Sequence, residues 1–215
     1  MYHRKPSAQH AVLRKNCTLY ARVGQPSYWK RAASLTTLGG KMNLHADARI
    51  PYSRDVVFTA YRDDIVKLVP YVPNVRDIQT KSRKEEGRYV DIVNEWSGGG
   101  EIPTAVRAFV SESMLSWTDY ARWDADACAC DWRIETHAFT KAVQCAGRNS
   151  FLAEGPDKTI LEVRGTLAID PKQVPGVPSF LAGKIARALE SFLVDRIQSN
   201  VVETTNGLAK YLAAK

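Results

Sequence analysis

The sequence predicts an α+β fold, in which a curved antiparallel sheet of seven strands wraps around one long C-terminal helix. Seven strand-like segments come first along the chain, and the residues from Val174 to Lys215 then follow as one amphipathic helix. The turns between the later strands are short and polar, as in Glu154-Gly155-Pro156-Asp157, which favours antiparallel neighbours. A curved sheet of this kind does not close a core by itself, and only the terminal helix is long enough to fill it.

The terminal helix is predicted from an apolar stripe that recurs close to helical spacing. Thirty helical residues span roughly 45 Å, whereas a ten-residue strand spans about 33 Å. We therefore expect the helix to overhang the sheet or to kink, with Gly207 as the weak point. The stripe consists of Leu181, Ile185, Leu189, Phe192, Leu193, Ile197, Val201, Leu208 and Leu212.

The strands are predicted from alternation of apolar and polar residues and from turn signals between them. A helix capped by Ser53 and a short helix over residues 63–68, stopped by Pro70, follow the first strand. Another short helix is predicted from Ile102 to Val110. The strands are predicted over residues 43–50, 74–82, 87–96, 114–123, 128–138, 143–153 and 159–169.

The charge of the chain divides it into two regions. Residues 1–41 hold eight Lys or Arg and no Asp or Glu, whereas the remaining residues hold 22 basic and 23 acidic side chains. The near-neutral residues 42–215 are predicted to be the folded domain, which offers no general basic face for nucleic acid. Residues 1–41 are predicted to be a disordered basic extension. This extension is either a transit peptide or a mis-called segment upstream of a natural start at Met42, and we favour the second.

Hydropathy and cysteine content predict the compartment. The longest apolar runs fall far short of the roughly 18 residues that indicate a transmembrane helix, although a transient membrane contact stays open. The four cysteines, Cys17, Cys128, Cys130 and Cys145, do not form a disulfide framework in a chain of 215 residues, so a reducing cytoplasm is expected.

The order of the elements from Met42 to Lys215 resembles the START and polyketide-cyclase superfamily, also called SRPBCC, whose fold is the helix grip. Within that superfamily, four segments resemble the PRELI lipid-transfer group: Asn94-Glu95-Trp96, the helix from Ile102 to Val110, Ser116-Trp117-Thr118 and the strand around Trp132. The resemblance implies one cavity between the curved sheet and the terminal helix. Such a cavity would hold a lipid, a polyketide-like ring system or another apolar metabolite.

Alternation then selects the side chains expected to face this cavity. In strand 128–138 it directs Cys130, Trp132, Ile134 and Thr136 inward and their neighbours outward. Asp119 shares a strand face with Trp117 and is the best candidate for an inward acid, although alternation does not decide whether that face is the concave one. The predicted ligand-binding residues are Trp96, Trp117, Trp132, Val163, Gly165, Ile185, Leu189 and Phe192.

Other reactive-looking residues have simpler interpretations. Cys128 and Cys130 would share one strand face, but zinc takes four N or S ligands and the others are missing, so core thiols are favoured. His45 and His137 fall on the predicted solvent face, as do Arg133 and Arg164. The glycines 98–100 lack the context of a phosphate-binding loop. We predict neither a metal nor a cofactor.

The sequence therefore favours a non-catalytic protein that binds or transfers a hydrophobic small molecule. The first alternative is a cyclase or aromatase that uses the same cavity, with an inward acid or base as its distinguishing feature. The second is a stress or co-chaperone module with a protein partner. Ligand identity, transfer as opposed to storage, and oligomeric state are left open.

Overall fold

The computed structural model describes residues 41–215 except 103, 105, 106, 108, 109, 139, 171, 172 and 174–181. The side chains of residues 41, 182–187, 189, 190, 193 and 201 are also not described. The predicted extension 1–41 therefore lies outside the described residues, except for Lys41, which begins the first strand. The start of the predicted terminal helix, residues 174–181, lies outside them as well.

The described residues form the predicted antiparallel sheet of seven strands, in the order β1-β7-β6-β5-β4-β3-β2. The predicted strands agree with it to within two residues, apart from β2, which continues to Glu86 because the turn after it consists only of Gly87 and Arg88. Gly87 has the predicted positive φ, 60°. The strands are β1 Lys41–Ile50, β2 Val75–Glu86, β3 Tyr89–Gly98, β4 Ser116–Asp124, β5 Ala129–Thr136, β6 Val143–Ala153 and β7 Thr159–Ile169.

Two α-helices accompany the sheet, α1 Arg54–Asp63 and α2 Ala182–Ala213. Ser53 takes the N-cap position of α1 as predicted, but its side chain makes no capping hydrogen bond. The helix predicted at 63–68 is a 3-10 segment, Ile65–Tyr71, which includes Pro70. The helix α2 is continuous through Gly207, where the sequence suggested a weak point.

The helix predicted from Ile102 to Val110 falls mostly on residues outside the described ranges. Within them, Thr104 and Arg107 form a turn, in which the Arg107 N–H donates to the Thr104 carbonyl over 3.4 Å. A 3-10 turn, Glu112–Met114, then leads into β4.

The inner face of the sheet carries two clusters of buried side chains. The first core cluster joins α1, the 3-10 segment and the end of α2 to the sheet, with Phe58, Leu68, Phe151 and Leu208 at its centre. The second core cluster joins β1, the chain before β4 and the middle of α2, and its members include Met42, Leu115, Leu167 and Phe192. The helix thus packs on the sheet at two places along its length.

The outer face of the sheet carries charges that pair across neighbouring strands. Arg122 on β4 pairs with Asp91 on β3 at 2.8 Å, and Arg148 on β6 pairs with Asp131 on β5 at 2.6 Å. Both predicted outward arginines are paired too, Arg133 with Glu135 and Arg164 with Asp47. The predicted solvent-face His137 is exposed, and its Nε2 lies 2.9 Å from the Thr118 hydroxyl. Balanced charges of this kind do not form a basic surface.

Over the described part of the chain, none of the helices combines the length and the apolar character that crossing a bilayer requires.

Candidate ligand cavity

A cavity of about 160 Å³, partly open to solvent, lies between the inner face of the sheet and α2. Strands β3, β4 and β5 supply most of its wall, because their inward side chains alternate along adjacent strands. The helix contributes Arg196, Ile197, Asn200 and Thr204, and α1 contributes Tyr61. Met114, at the end of the 3-10 turn before β4, also lines the cavity and is 40% exposed. The lining is mostly apolar, with a few polar groups among aromatic side chains.

The aromatic wall is centred on Trp96 and Trp117. These residues are direct partners on β3 and β4, and their rings stack with centroids 5.6 Å apart and planes 16° apart. Trp123, further along β4, packs instead on Phe58, Tyr61 and Phe151 in edge-on or tilted contacts. The stacked pair thus presents a flat apolar surface to the cavity.

Trp132 forms the next part of the wall, and two glycines make room for its ring. Trp132, Gly147 and Gly165 lie opposite one another on β5, β6 and β7. A Cβ atom on Gly165 would lie 2.9 Å from Trp132 Cη2, and one on Gly147 would collide with the same ring. The Trp132 Nε1–H donates to Asn149 Oδ1 over 2.8 Å, which fixes the ring in place.

Asp119 lies in the middle of this wall, so its strand face is the concave one. Its direct cross-strand partners are Asn94 on β3 and Ile134 on β5. Trp117 is two residues away on the same strand, while Trp96 and Trp132 are its diagonal neighbours on the adjacent strands. Asp119 is half-buried and lines the cavity, and among the described residues its carboxyl group has no hydrogen-bond or ion-pair partner. Burial raises the pKa of Asp119 to about 7.

The groups around Asp119 are polar but not cationic. Tyr61 on α1 hydrogen-bonds Asn149, and burial, followed by the charge of Asp119, raises the pKa of its phenol well above the usual range. Burial is also the main reason why the pKa of the Cys130 thiol is raised and that of Cys145 is raised to about 12. These thiols are therefore protonated and unreactive at neutral pH.

Two arginines lie among the lining residues, and both are engaged elsewhere. Arg62 makes two hydrogen bonds to Asp63, of 2.8 and 2.7 Å. Arg196 donates to the carbonyls of Gly99 and Glu101, over 2.9 and 2.7 Å. Arg196 keeps its positive charge because its partners are neutral carbonyls, but burial is the cause of the raised pKa of Asp119 and neither guanidinium contributes to it.

Three lining residues bury a polar atom that has no hydrogen-bond partner within the described ranges. The atoms are Trp96 Nε1, Thr136 Oγ1 and Asn200 Oδ1. Buried polar atoms without partners are uncommon in native structures, and three of them lie around this one cavity.

The structure brings together five of the predicted residues. Trp96, Trp117, Trp132, Val163 and Asp119 all line the cavity, together with the other inward residues of β5, which are Cys130, Ile134 and Thr136.

Of the four remaining predicted residues, two lie away from the cavity and two have side chains outside the described residues. Gly165 lies beneath the Trp132 ring, which separates it from the cavity. Phe192 is buried in the second core cluster, under the guanidinium of Arg196 at 5.4 Å. The side chains of Ile185 and Leu189 lie outside the described residues.

Several lining residues were missed by sequence reasoning. Tyr61 lies on α1, and nothing in the local sequence pattern indicates that this helix reaches the cavity. Asn94 and Asn149 are polar residues at inward strand positions, 4% and 6% exposed, and alternation alone could have marked them as candidates.

The cysteine pair is arranged differently from the prediction. Cys128 precedes β5 in a turn with φ of 47°, so it does not share a strand face with Cys130. No group of three or more His, Cys, Asp or Glu residues within the described ranges is arranged to hold a metal ion.

Comparison with known proteins gives the fold independently. No family model and no curated protein matches the sequence. The similar solved structures include TTHA0849 from Thermus thermophilus, the Zhui aromatase/cyclase from Streptomyces sp. R1128, and norcoclaurine synthase from Thalictrum flavum.

Their TM-scores are 0.57, 0.53 and 0.52, at 18%, 13% and 12% identity. The matches cover 80%, 79% and 92% of this chain and 97%, 94% and 100% of the respective structures. At such low identity the likeness concerns the fold, and it does not test the predicted resemblance to PRELI. The chain has the helix-grip fold that its order of elements predicted.

Proposed function

We propose that this protein binds a small, largely apolar molecule in the cavity between its sheet and α2. The cavity itself carries the proposal, because a flat indole wall and three unpartnered polar atoms surround a space that the described side chains do not fill. Apolar pockets with a few convergent polar groups are the usual form of small-molecule sites.

The size of the cavity favours a ligand with a ring. An apolar cavity of roughly 150 Å³ accommodates benzene in a well-studied engineered protein. The described cavity is of that order and opens to solvent, so one ring fits inside while a substituent extends through the opening. Affinity then comes mainly from apolar burial, at about 25 cal/mol per Å² removed from water.

Asp119 favours a second candidate function, a cyclase-like enzyme. An acid with a pKa of about 7 that faces the cavity is suited to proton transfer at neutral pH. It is the inward acid that distinguishes the enzyme from a binding protein. If the protein is such an enzyme, replacing Asp119 with Asn abolishes turnover while leaving the binding of a neutral ligand unchanged.

A cavity-filling variant tests the binding proposal. Ala121 lines the cavity and is 7% exposed, so Ala121→Leu extends a larger side chain into the space that a ligand would occupy. Ala146→Leu is the matched control, because Ala146 lies on the exposed face of β6. The fluorescence of N-phenyl-1-naphthylamine, a neutral apolar probe, reports occupancy for the full chain and for both variants.

We expect the parent chain and Ala146→Leu to bind the probe equally and Ala121→Leu to bind it at least about tenfold more weakly. Equal binding by all three proteins contradicts the proposal. Native mass spectrometry of protein purified from its host then identifies a co-purifying apolar mass. Its absence, together with probe binding that does not respond to Ala121→Leu, favours a protein-interaction module instead.

A further inference from the structure

The side chains that line the cavity restrict the class of ligand that it can bind. The first of them is Asp119, which carries a carboxyl group. Asp119 is the only acidic side chain among the described residues that line the cavity. It has no partner among them, while Arg62 and Arg196 are already bonded to Asp63 and to backbone carbonyls. A buried carboxylate without a counter-charge is unfavourable, so a cation bound beside Asp119 would stabilise its ionised form.

Few classes of ligand would stabilise the ionised carboxyl group of Asp119. An anionic ligand would be repelled by Asp119, and a purely apolar ligand would remove the remaining water from the carboxyl group without replacing it. Asn200 presents a second buried oxygen without a donor among the described residues, on the α2 side of the same cavity. The other two unpartnered atoms do not add to this preference, because the Trp96 Nε1–H only donates and the Thr136 hydroxyl can donate or accept. Asp119 and Asn200 together favour a ligand that brings hydrogen-bond donors or positive charge.

The tryptophans around Asp119 favour a positively charged ligand over a neutral hydrogen-bond donor. Trp117 lies on the same strand face, and Trp96 and Trp132 are the diagonal neighbours on either side. Indole faces attract cations, and aromatic walls combined with a carboxylate recognise substituted ammonium groups. A neutral donor would hydrogen-bond Asp119 as well, but a cation would gain the attraction of the indole faces and of the carboxylate charge in addition.

We propose that the ligand of this cavity is a small organic cation, an aromatic or alicyclic amine whose ammonium group sits between Asp119 and the surrounding tryptophans. This inference rests on the proposed binding function and specifies its ligand class. The apolar part of the ligand lies against the stacked Trp96 and Trp117 rings, and the charge lies at the carboxyl group.

The dependence of binding on pH follows from the groups that face Asp119. They are Tyr61 from α1, Cys130 from β5 and Cys145 from β6, all of which stay neutral through the neutral range, and the engaged Arg62 and Arg196. Asp119 is thus the group whose charge changes near pH 7. A cation binds its ionised form, so affinity rises with pH up to about 7 or somewhat above and falls by up to about tenfold for each unit below it.

Two probes of equal shape test the ligand class. Phenyltrimethylammonium carries a permanent charge, and tert-butylbenzene is its neutral isostere. Calorimetric titration at pH 6 and pH 8 compares both probes on the full parent chain, on Asp119→Asn and on the control Asp131→Asn, in which an exposed carboxylate on the outer face is removed.

At pH 8 we expect the parent and Asp131→Asn to bind the cation at least about tenfold more tightly than its isostere, and Asp119→Asn to lose that preference. Binding of tert-butylbenzene should be similar in all three proteins. If tert-butylbenzene binds and the cation does not, or if Asp119→Asn keeps the preference, the cationic ligand is overturned while cavity binding stands. If neither probe binds the parent, both proposals fail.

Discussion

The two ends of the sheet's inner face are filled in different ways. In the first core cluster, Phe58 from α1 makes edge-on contact with Phe151, and Leu208 from α2 is fully buried in the same cluster. In the cavity region the helix contributes Arg196, Ile197, Asn200 and Thr204, three of which are polar. The same sheet and the same helix thus form a packed apolar core at one end and a cavity lined partly by polar helical side chains beside it.

This comparison predicts that truncation is most damaging in the packed end. Phe151 is 2% exposed and makes edge-on contact with Phe58 at 5.3 Å. We expect Phe151→Ala to lower the free energy of unfolding by about 4 kcal/mol, because the surrounding side chains cannot close the void. Trp117→Ala, in the half-buried cavity wall, should cost roughly half as much. Urea unfolding followed by far-ultraviolet circular dichroism measures both, and equal losses would show that the cavity wall is as tightly packed as the core.

The second prediction concerns Asp119 and pH. Its pKa is about 7 in the folded chain against 3.8 in an unfolded one, so the native state binds the proton more tightly and stability is lost as pH rises from about 4 through 7. At pH 8, Asp119→Asn should be more stable than the parent by roughly 3 kcal/mol, a value reduced for the partial opening of the cavity to solvent. At pH 4 the two should be nearly equal. Urea unfolding at both values measures the difference, and a difference that does not change with pH contradicts it.

The third prediction concerns Gly207, where α2 approaches the 3-10 segment in the packed end. A Cβ atom there would lie 2.7 Å from Val72 Cγ2 and 3.1 Å from the Tyr71 carbonyl oxygen. Alanine is favoured over glycine in a helix by about 1 kcal/mol, but crowding in a packed core costs more. We therefore expect Gly207→Ala to lower the thermal midpoint, and the exposed Lys210→Ala in the same helix to leave it unchanged. A higher thermal midpoint for Gly207→Ala would contradict this, and would show that Val72 and Tyr71 move aside for the added methyl group at little cost.

The smallest expected effect is at Thr136 in the cavity wall. Its hydroxyl is buried and has no partner among the described residues. Thr136→Val keeps the shape and removes that unpaired group, so the free energy of unfolding should rise by about 1 kcal/mol. Thr118→Val, on the outer face and within hydrogen-bond distance of His137, is the control and should bring no gain. Loss of stability in Thr136→Val would show that the hydroxyl is satisfied, for example by a cavity water.

Much of the fold was predictable because it depends on local patterns. Strict alternation in β5 identified all four inward residues of that strand correctly, and the alternating burial of β3 is equally regular. The site was only partly predictable. Gly165 has the same parity as Val163, yet the wide ring of Trp132, two strands away, lies across it. Alternation indicates the face on which a side chain lies but not how far a neighbouring ring extends.

The sequence by itself determined the order of the elements, the antiparallel pairing and the inward position of Trp132, because these depend on periods of two and 3.6 residues and on short turns. Only the tertiary structure decided that Asp119 faces the concave side, that Tyr61 reaches it from α1, and that both nearby arginines are already engaged. Those facts depend on side chains far apart in the chain meeting around a space that no local pattern encodes. They are the observations on which the proposal of a cationic ligand rests.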